Sequence, residues 1–106
     1  MSKIIIMQGL PASGKSTCAK EIAEKDGNAV RINKDLLRTM LHFDKWSGKN
    51  EGATRAASRI LALGFLSQEK TVIIDDTNLN EGTVQGWKDL AKEAGAKIQY
   101  EKMETP

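Results

Sequence analysis

Short runs of consecutive apolar residues alternate along the chain with longer segments in which apolar residues recur every three or four positions. The runs predict buried strands at Lys3–Gln8, Ala29–Asn33, Thr71–Ile74 and Lys97–Met103. The periodic segments predict helices at Lys15–Lys25, Lys34–His42, Glu51–Leu66 and Glu81–Ala94. Strands that alternate with helices indicate an α/β fold, a three-layer αβα arrangement around a parallel sheet. Ligands of such sheets bind beyond the carboxyl ends of the strands.

Each predicted helix has apolar residues that we expect to face the core. They are Cys18, Ala19, Ile22 and Ala23 in the first helix, Leu36, Leu37, Met40 and Leu41 in the second, Ala53, Ala56, Ala57, Ile60 and Leu61 in the third, and Val84, Trp87, Leu90, Ala91 and Ala94 in the fourth. The polar segment 43–50 predicts a surface loop, and Asn80 is a suitable N-cap for the last helix.

Composition narrows the class of protein. The 106 residues are enough for one domain with a real core. A net charge of +2 is too small to indicate nucleic-acid binding by itself. Cys18 is the only cysteine, which excludes an internal disulfide and favours a reducing compartment. No apolar run approaches the length of a membrane span. We therefore expect a cytoplasmic protein with no membrane partner.

The segment from Gly9 to Ser16 carries the most specific motif of the chain. It reads G-x-x-x-x-G-K-S and lies between the first strand and the first helix, the context that a phosphate-binding loop requires. Glycines let backbone N–H groups turn inward around phosphate oxygens, and the helix N-terminus adds positive potential. The motif predicts binding of a nucleoside triphosphate, with Lys15 reaching the β- and γ-phosphates and Ser16 ligating Mg²⁺. The expected nucleotide-binding residues are Gly9, Ala12, Ser13, Gly14, Lys15, Ser16 and Thr17.

Asp35 and Arg38 follow the second strand and are three residues apart, so on a helix they share a face. The carboxylate could accept the proton of an attacking hydroxyl, and the guanidinium could bind a phosphate with two parallel bonds. Alternatively, Asp35 only favours the helix start by its charge and Arg38 is a solvated surface residue. Spacing alone leaves the two interpretations even.

Asp75 and Asp76 follow the third strand, where the carboxylate that orients Mg²⁺ is expected in phosphate-loop proteins. Because successive strand residues point to opposite faces, one acid is expected to face the metal or the acceptor and the other to support the loop. An acidic turn with a capping Asp is the alternative.

Several other polar or aromatic residues have simpler interpretations. Arg55 and Arg59, one helical turn apart, could bind a polyanionic acceptor, but a solvated helix face that pairs with carboxylates is favoured. His42 is expected at a surface or helix end. Trp46 could stack on a base or cover part of the core. Trp87 is most simply a core residue.

Four segments together resemble the polynucleotide 5′-kinase domain found in phage polynucleotide kinase, and the wider family of phosphate-loop kinases. They are the phosphate loop with Thr17, the segment 32–38 (Ile-Asn-Lys-Asp-Leu-Leu-Arg), the segment 74–80 (Ile-Asp-Asp-Thr-Asn-Leu-Asn) and the following helix with Trp87. The resemblance covers essentially the whole chain, as a single domain at 1–106. It implies transfer of the γ-phosphate of ATP to a 5′-hydroxyl of DNA or RNA.

The resemblance also implies roles for individual residues. Asp35 is then the general base, Arg38 contacts phosphate at the transfer site, and Lys15 stabilises the charge of the transferred group. Asp76 matches the acidic residue of the phage enzyme, whereas many relatives place theirs at the position of Asp75. We therefore assign Asp76 a catalytic role and Asp75 a metal-binding role beside Ser16.

The end of the sequence departs from the family pattern. The family continues after the fourth strand with an arginine-bearing lid helix, a fifth strand and a closing helix, where this sequence stops at Met103–Pro106. Three alternatives follow: a fragment of a longer protein, a chain completed by a partner that supplies the lid, or a module that binds nucleotide and transfers poorly. A kinase of a small molecule such as a sugar or nucleoside is the alternative enzyme.

Overall fold

The computed structural model describes residues 2–8, 15–75 and 81–102. Among these residues, four strands form one parallel sheet. The strands are β1 (Lys3–Gln8), β2 (Ala29–Ile32), β3 (Thr71–Ile74) and β4 (Lys97–Lys102), in the order β2-β3-β1-β4. The two central strands, β1 and β3, are apolar on both faces because helices cover both sides of the sheet.

Four helices of the described residues cover the sheet: α1 (Lys15–Lys25), α2 (Lys34–His42), α3 (Gly48–Ser67) and α4 (Glu81–Ala94). On one face, Ala19 of α1 packs with Ile5, Met7 and Ile73. On the other face, residues of α2, α3 and α4 form the larger core cluster with the sheet. The predicted three-layer α/β fold with a parallel sheet is therefore confirmed. Within the described ranges, no helix is both long and apolar enough to cross a membrane.

Three predicted boundaries differ within the described ranges. α3 ends at Ser67, one residue later than expected, and the other two differ because N-cap side chains decide where helices begin. β2 ends at Ile32, since Asn33 caps α2 by accepting the N–H of Leu36 at 3.0 Å. α3 begins at Gly48, not Glu51, since the hydroxyl of Ser47 accepts the N–H of Asn50 at 3.0 Å. The predicted loop 43–50 is thus shorter than expected. The predicted cap Asn80 and the strand end at Met103 lie outside the described residues.

The predicted core face of α3 is wrong in part: Ala57 and Leu61 are half-buried, and Leu61 packs against the core, but the other three predicted residues do not. The buried side chains of this helix are Thr54, Ser58, Ala62 and Leu66, whereas Ala53 and Ala56 are exposed and Ile60 is 70% exposed. The hydroxyl groups of Thr54 and Ser58 donate to backbone carbonyls of the same helix, at 2.9 and 2.8 Å. Because each hydroxyl finds its acceptor within the same helix, its burial costs little free energy.

The predicted core face of α2 is also too broad, because this helix follows an edge strand and meets the core on one side. Only Leu37 is buried, while Leu36, Met40 and Leu41 are exposed. The stripe on α4 is confirmed, with Trp87, Leu90 and Ala91 buried and Val84 and Ala94 half-buried.

Cys18 packs, half-buried, against the smaller core cluster, together with Ile22 and Ala23. Burial raises the pKa of the Cys18 thiol, and the nearby carboxylate of Glu101 raises it further. A thiol with a raised pKa is a poor nucleophile, which agrees with the predicted role of Cys18 as a small apolar side chain.

Candidate active site

The carboxyl ends of β2 and β3 are joined by the residues that follow them. The N–H of Asp75 donates to the carbonyl of Ile32 at 2.9 Å, which extends the pairing of the two strands by one residue. The side-chain amide of Asn33 donates to the carbonyl of Asp75 at 2.6 Å, while its oxygen caps α2. One side chain therefore fixes the start of α2 relative to the end of β3.

Asp35 lies in the first turn of α2, two residues after Asn33, and its carboxylate is bound to Arg38. Nη1 of Arg38 donates to Oδ1 of Asp35 at 2.7 Å, and the Asp35 side chain is 83% exposed. Among the described residues, Oδ2 of Asp35 has no hydrogen-bond partner. The shared helix face predicted from the spacing is confirmed. The arrangement leaves one oriented carboxylate oxygen open to solvent.

Arg38 is held from its other side by Glu51, which lies in the first turn of α3. Nε donates to Oε2 at 2.9 Å and Nη2 donates to Oε1 at 2.6 Å, a bidentate pair between side chains that are mostly buried. The Arg38 hydrogen bonds lower the pKa of the Glu51 carboxyl, and Glu51, followed by Asp35, raises the pKa of Arg38. Arg38 is thus an anchored cation at the junction of α2 and α3, and the alternative of a solvated surface arginine is wrong.

Asp75, at the end of β3, is fully buried. Its Oδ2 accepts a hydrogen bond from Nε of Arg31 on β2 at 2.5 Å. A buried carboxylate needs such a partner, because an unpaired charge would be strongly destabilising. The metal-binding role of Asp75 stays a prediction, and a metal ion here would share the carboxylate with a guanidinium.

The phosphate loop and part of the third-strand motif are not among the described residues. Predicted site residues that lie outside them are Gly9, Ala12, Ser13, Gly14 and Asp76. Lys15 and Ser16 begin α1, and Thr17 is exposed in the first turn of that helix. Because α1 follows β1, its N-terminus lies at the carboxyl edge of the sheet, where the positive end of the helix favours an anion. The roles of these residues remain predictions.

Arg55 and Arg59 are exposed on α3. No carboxylate of the described part of the chain lies within 4 Å of either guanidinium, so the favoured pairing with carboxylates is not observed there. Trp46 is 72% exposed and covers no core, whereas Trp87 is buried in the core as predicted. His42 ends α2, as expected.

Three residues that contribute to this edge of the sheet were not assigned roles from the sequence. Asn33 carried a usable signal, since Asn directly before an amphipathic helix is a favoured N-cap. Arg31 carried a weaker signal, as the charged residue of an otherwise apolar strand. Glu51 carried none, because its partner Arg38 is 13 residues away, and no spacing rule links the first turns of two different helices.

A comparison with protein families finds a match over residues 4–106 to the family described as "AAA domain". The chain belongs to this family. The family match, together with the kinases that the chain resembles, confirms the resemblance to phosphate-loop kinases inferred from the motifs and supports a phosphotransferase.

Two curated relatives are kinases. The chain is 33% identical over 94 residues to an L-seryl-tRNA(Sec) kinase of Methanococcus maripaludis, covering 85% of this chain and 36% of the relative. It is 32% identical over 91 residues to a bifunctional polynucleotide phosphatase/kinase of Schizosaccharomyces pombe, covering 86% and 18%. The chain therefore spans about a third or less of the curated relatives that it matches.

Solved structures of this fold include a chain of the Pnkp1/Rnl/Hen1 complex. It superposes with a TM-score of 0.89 at 29% identity, covering 99% of this chain and 36% of that one. The APS kinase CysC (Cys556Ala mutant) of Mycobacterium tuberculosis superposes with a TM-score of 0.76 at 22% identity, covering 99% and 77%. The second likeness shows the shared fold alone.

Proposed function

We propose that the chain is the kinase domain of an ATP-dependent polynucleotide 5′-hydroxyl kinase. The observation that carries this proposal is the pair formed by Asp35 and Arg38 at the carboxyl edge of the sheet. Arg38 is fixed by Glu51 and orients one oxygen of Asp35, which leaves the other oxygen open to a hydroxyl group. A positioned carboxylate next to a fixed guanidinium suits deprotonation of an acceptor that carries a phosphate.

In the proposed reaction, Oδ2 of Asp35 accepts the proton of the 5′-hydroxyl as the oxygen attacks the γ-phosphorus. The bond between the γ-phosphorus and its bridging oxygen to the β-phosphorus breaks, and its electron pair leaves with ADP. Arg38 contacts phosphate at the transfer site. Lys15 stabilises the charge on the transferred group. Asp76, which follows β3 in the sequence, has the catalytic role that the resemblance implies.

The remaining cofactor-binding residues are assigned from the motif. Backbone groups of the phosphate loop and Thr17 hold the ATP phosphates. Bound Mg²⁺ neutralises phosphate charge. The hydroxyl of Ser16 and the carboxylate of Asp75 are oxygen donors of the kind that Mg²⁺ prefers, and we assign them to this ion.

Two relatives support nucleic acid as the acceptor. The Schizosaccharomyces pombe relative is a bifunctional polynucleotide phosphatase/kinase. The chain that superposes with a TM-score of 0.89 belongs to the Pnkp1/Rnl/Hen1 complex, and a second structure of this complex describes it as an RNA repair complex. The Methanococcus maripaludis relative is an L-seryl-tRNA(Sec) kinase, so an acceptor hydroxyl on another group attached to RNA is the second candidate.

The test is transfer of label from γ-labelled ATP to a panel of acceptors: 5′-hydroxyl oligonucleotides, seryl-tRNA, nucleosides and amino sugars. We expect label on the oligonucleotides, and none when their 5′ ends already carry phosphate. Label on nucleosides or sugars alone would overturn the proposal in favour of a small-molecule kinase. Tight ATP binding with no transfer to any acceptor would indicate a nucleotide-binding module.

A variant separates the role of Asp35 from a general loss of folding. Asp35→Asn keeps an oxygen that can accept from Arg38 but removes the basic carboxylate, so transfer should fall about 100-fold or more while ATP binding is retained. Asp89→Asn, on the exposed face of α4, is the matched control and should transfer normally. Unchanged transfer by Asp35→Asn would show that another group is the base.

A further inference from the structure

A cleft of about 460 Å³ opens between α3, α4 and the start of α2, beside the candidate active site. Its floor is formed by Trp87 and Ser58, both buried. The residues that line it are Lys34, Arg55, Ser58, Arg59, Gly82, Thr83, Gly86 and Trp87. None of the assigned site residues is among them. Of the lining residues, Arg55 and Arg59 were weighed from the sequence as a contact for a polyanionic acceptor, with a solvated helix face favoured.

Within the described ranges, the charged residues that line the cleft are all positive. Three of its lining residues are cations, and none of those within the described ranges is acidic. Glu81, the acidic residue in the first turn of α4, lines a separate cavity with Gln8 and Lys88. Gly82 and Thr83 bring the positive end of a 14-residue helix to the wall of the cleft. Cations from two helices and a helix N-terminus therefore converge on one concave surface, which favours a bound anion.

Arg59 lies across this cleft, next to Gly86 of α4. Nη1 of Arg59 is 3.5 Å from the carbonyl oxygen of Gly86, and a Cβ atom at Gly86 would be 3.3 Å from the same nitrogen. The guanidinium therefore lies next to the backbone of α4. The positive group is thereby directed into the cleft and not along the outer face of α3.

The cleft continues from the candidate active site along α3. Glu51, which binds Arg38, is followed at four-residue intervals by Arg55 and Arg59, so the two arginines lie ~6 and ~12 Å further along the helix. Lys34 directly precedes Asp35. Both Lys34 and Arg55 act on the Glu51 carboxyl and lower its pKa, after the larger effect of Arg38. A row of positive groups thus leads away from the proposed reaction centre.

We propose that this cleft binds internucleotide phosphates of the acceptor strand, beyond the nucleotide that is phosphorylated. The inference rests on the proposed function and names the part of the acceptor that the domain recognises. Phosphates along a stacked strand rise by ~3.4 Å each, so a distance of ~12 Å corresponds to about three or four nucleotides. Contacts of this kind position a strand without reading its sequence. Arg55 and Arg59 therefore favour a polynucleotide over a single phosphorylated nucleoside.

The test measures binding, so that it does not depend on catalysis. A 5′-hydroxyl octanucleotide with a fluorophore at its 3′ end is titrated with the protein at several salt concentrations, and anisotropy gives the Kd. The double variant Arg55→Gln/Arg59→Gln should raise the Kd about 10-fold. It should also reduce the slope of log K against log salt concentration by about 1.4, because two phosphate contacts to a single strand are lost. The matched control Lys25→Gln/Lys92→Gln removes the same charge from exposed ends of α1 and α4 and should change neither.

Competition against the labelled octamer by nucleoside 3′-monophosphate and by inorganic phosphate distinguishes the source of the phosphate. We expect the double variant to bind these small competitors as the parent protein does. If it loses affinity for them as strongly as for the octamer, the cleft holds an isolated phosphate and the assignment to a strand is overturned. Equal effects of the two double variants would show that only total charge matters and would also overturn it.

Failure of the two proposals can be told apart. If the octamer binds and the cleft variant weakens it, but no hydroxyl is phosphorylated, the cleft assignment stands and the kinase proposal fails. If oligonucleotides are phosphorylated with the same dependence on length and salt in the cleft variant as in the parent, the kinase proposal stands and the cleft assignment fails.

Discussion

The bidentate pair between Arg38 and Glu51 gives the sharpest quantitative prediction. The substitution Glu51→Gln keeps the length and shape of the side chain but removes its charge and one of its two acceptor oxygens. The amide nitrogen that replaces this oxygen faces an N–H donor of Arg38, since Nε and Nη2 each donate to a different oxygen of Glu51. Arg38 then retains its hydrogen bond to Asp35 as its remaining carboxylate contact among the described residues.

The size of the effect follows from burial. The side chains of Arg38 and Glu51 are 22% and 16% exposed, between the limits of a surface pair and a buried one. Exposed ion pairs contribute about 0–1 kcal/mol, and breaking a buried pair costs about 3–5 kcal/mol. We therefore expect Glu51→Gln to lower the free energy of unfolding by about 1.5 kcal/mol at pH 7, close to the contribution of one hydrogen bond to a charged group.

The pH dependence of the same variant is a stricter test. Arg38 lowers the pKa of Glu51 in the folded protein, so the stabilisation is present above the ordinary pKa of a glutamic acid, about 4.3. It is lost as the pH falls through the lower pKa that Glu51 has in the folded state. The difference between parent and variant should therefore shrink below about pH 4, because the substituted glutamine does not titrate and the parent loses its advantage.

Urea unfolding at a series of pH values measures both effects. Glu93→Gln, an exposed carboxylate on α4, is the matched control and should change stability by less than about 0.5 kcal/mol at any pH. Equal stability of parent and Glu51→Gln at pH 7 would refute the view that this pair holds α2 against α3. A difference that grows on acidification would refute the assigned direction of the Glu51 pKa.

Three further predictions concern stability. Asn33→Ala removes both the N-cap of α2 and the bond to the carbonyl of Asp75, and should cost about 2 kcal/mol in urea unfolding, whereas an effect below about 0.5 kcal/mol would exclude the double role. A hydrogen bond from the hydroxyl of Thr71 lowers the pKa of Asp26, so Asp26→Asn should reduce the thermal midpoint at pH 7. The difference between parent and variant should disappear as the pH falls through the pKa of Asp26 in the folded protein, and a difference that does not change with pH would contradict this assignment. Ile60→Ser should leave unfolding within about 0.5 kcal/mol of the parent, because Ile60 is 70% exposed, and a loss of about 2 kcal/mol would place it in the core after all.

Most of the fold could be predicted from local patterns. The bounds of β1, α1, α2, β3 and α4 follow from apolar runs and from helical periodicity, and those signals depend only on neighbouring residues. The rotation of α3 could not be predicted in this way. Hydrophobicity favours burial of Ile60, but Thr54 and Ser58 face the core because they are small and satisfy their hydroxyl groups within the helix. Packing against several elements at once decided the outcome, and periodicity does not encode it.

The candidate site shows the same division. The spacing of Asp35 and Arg38 was sufficient to predict a shared helix face. The partner on the other side of Arg38 was not predictable, because Glu51 belongs to a different helix whose start was itself placed three residues too late. Contacts within one helical turn can be read from the sequence, while contacts between helices require the fold.

The double use of Asn33 has a consequence for how distant substitutions act. Besides the contact of Arg38 with Glu51, this amide joins the start of the helix that carries Asp35 to the backbone carbonyl directly after β3. A change in the core that shifts β3 along its axis, such as a smaller residue at Val72 or Ile74, is therefore expected to act on the start of this helix through that hydrogen bond. If Asp35 is the base of the proposed reaction, its alignment therefore depends on packing beneath the sheet edge, at positions outside the candidate site.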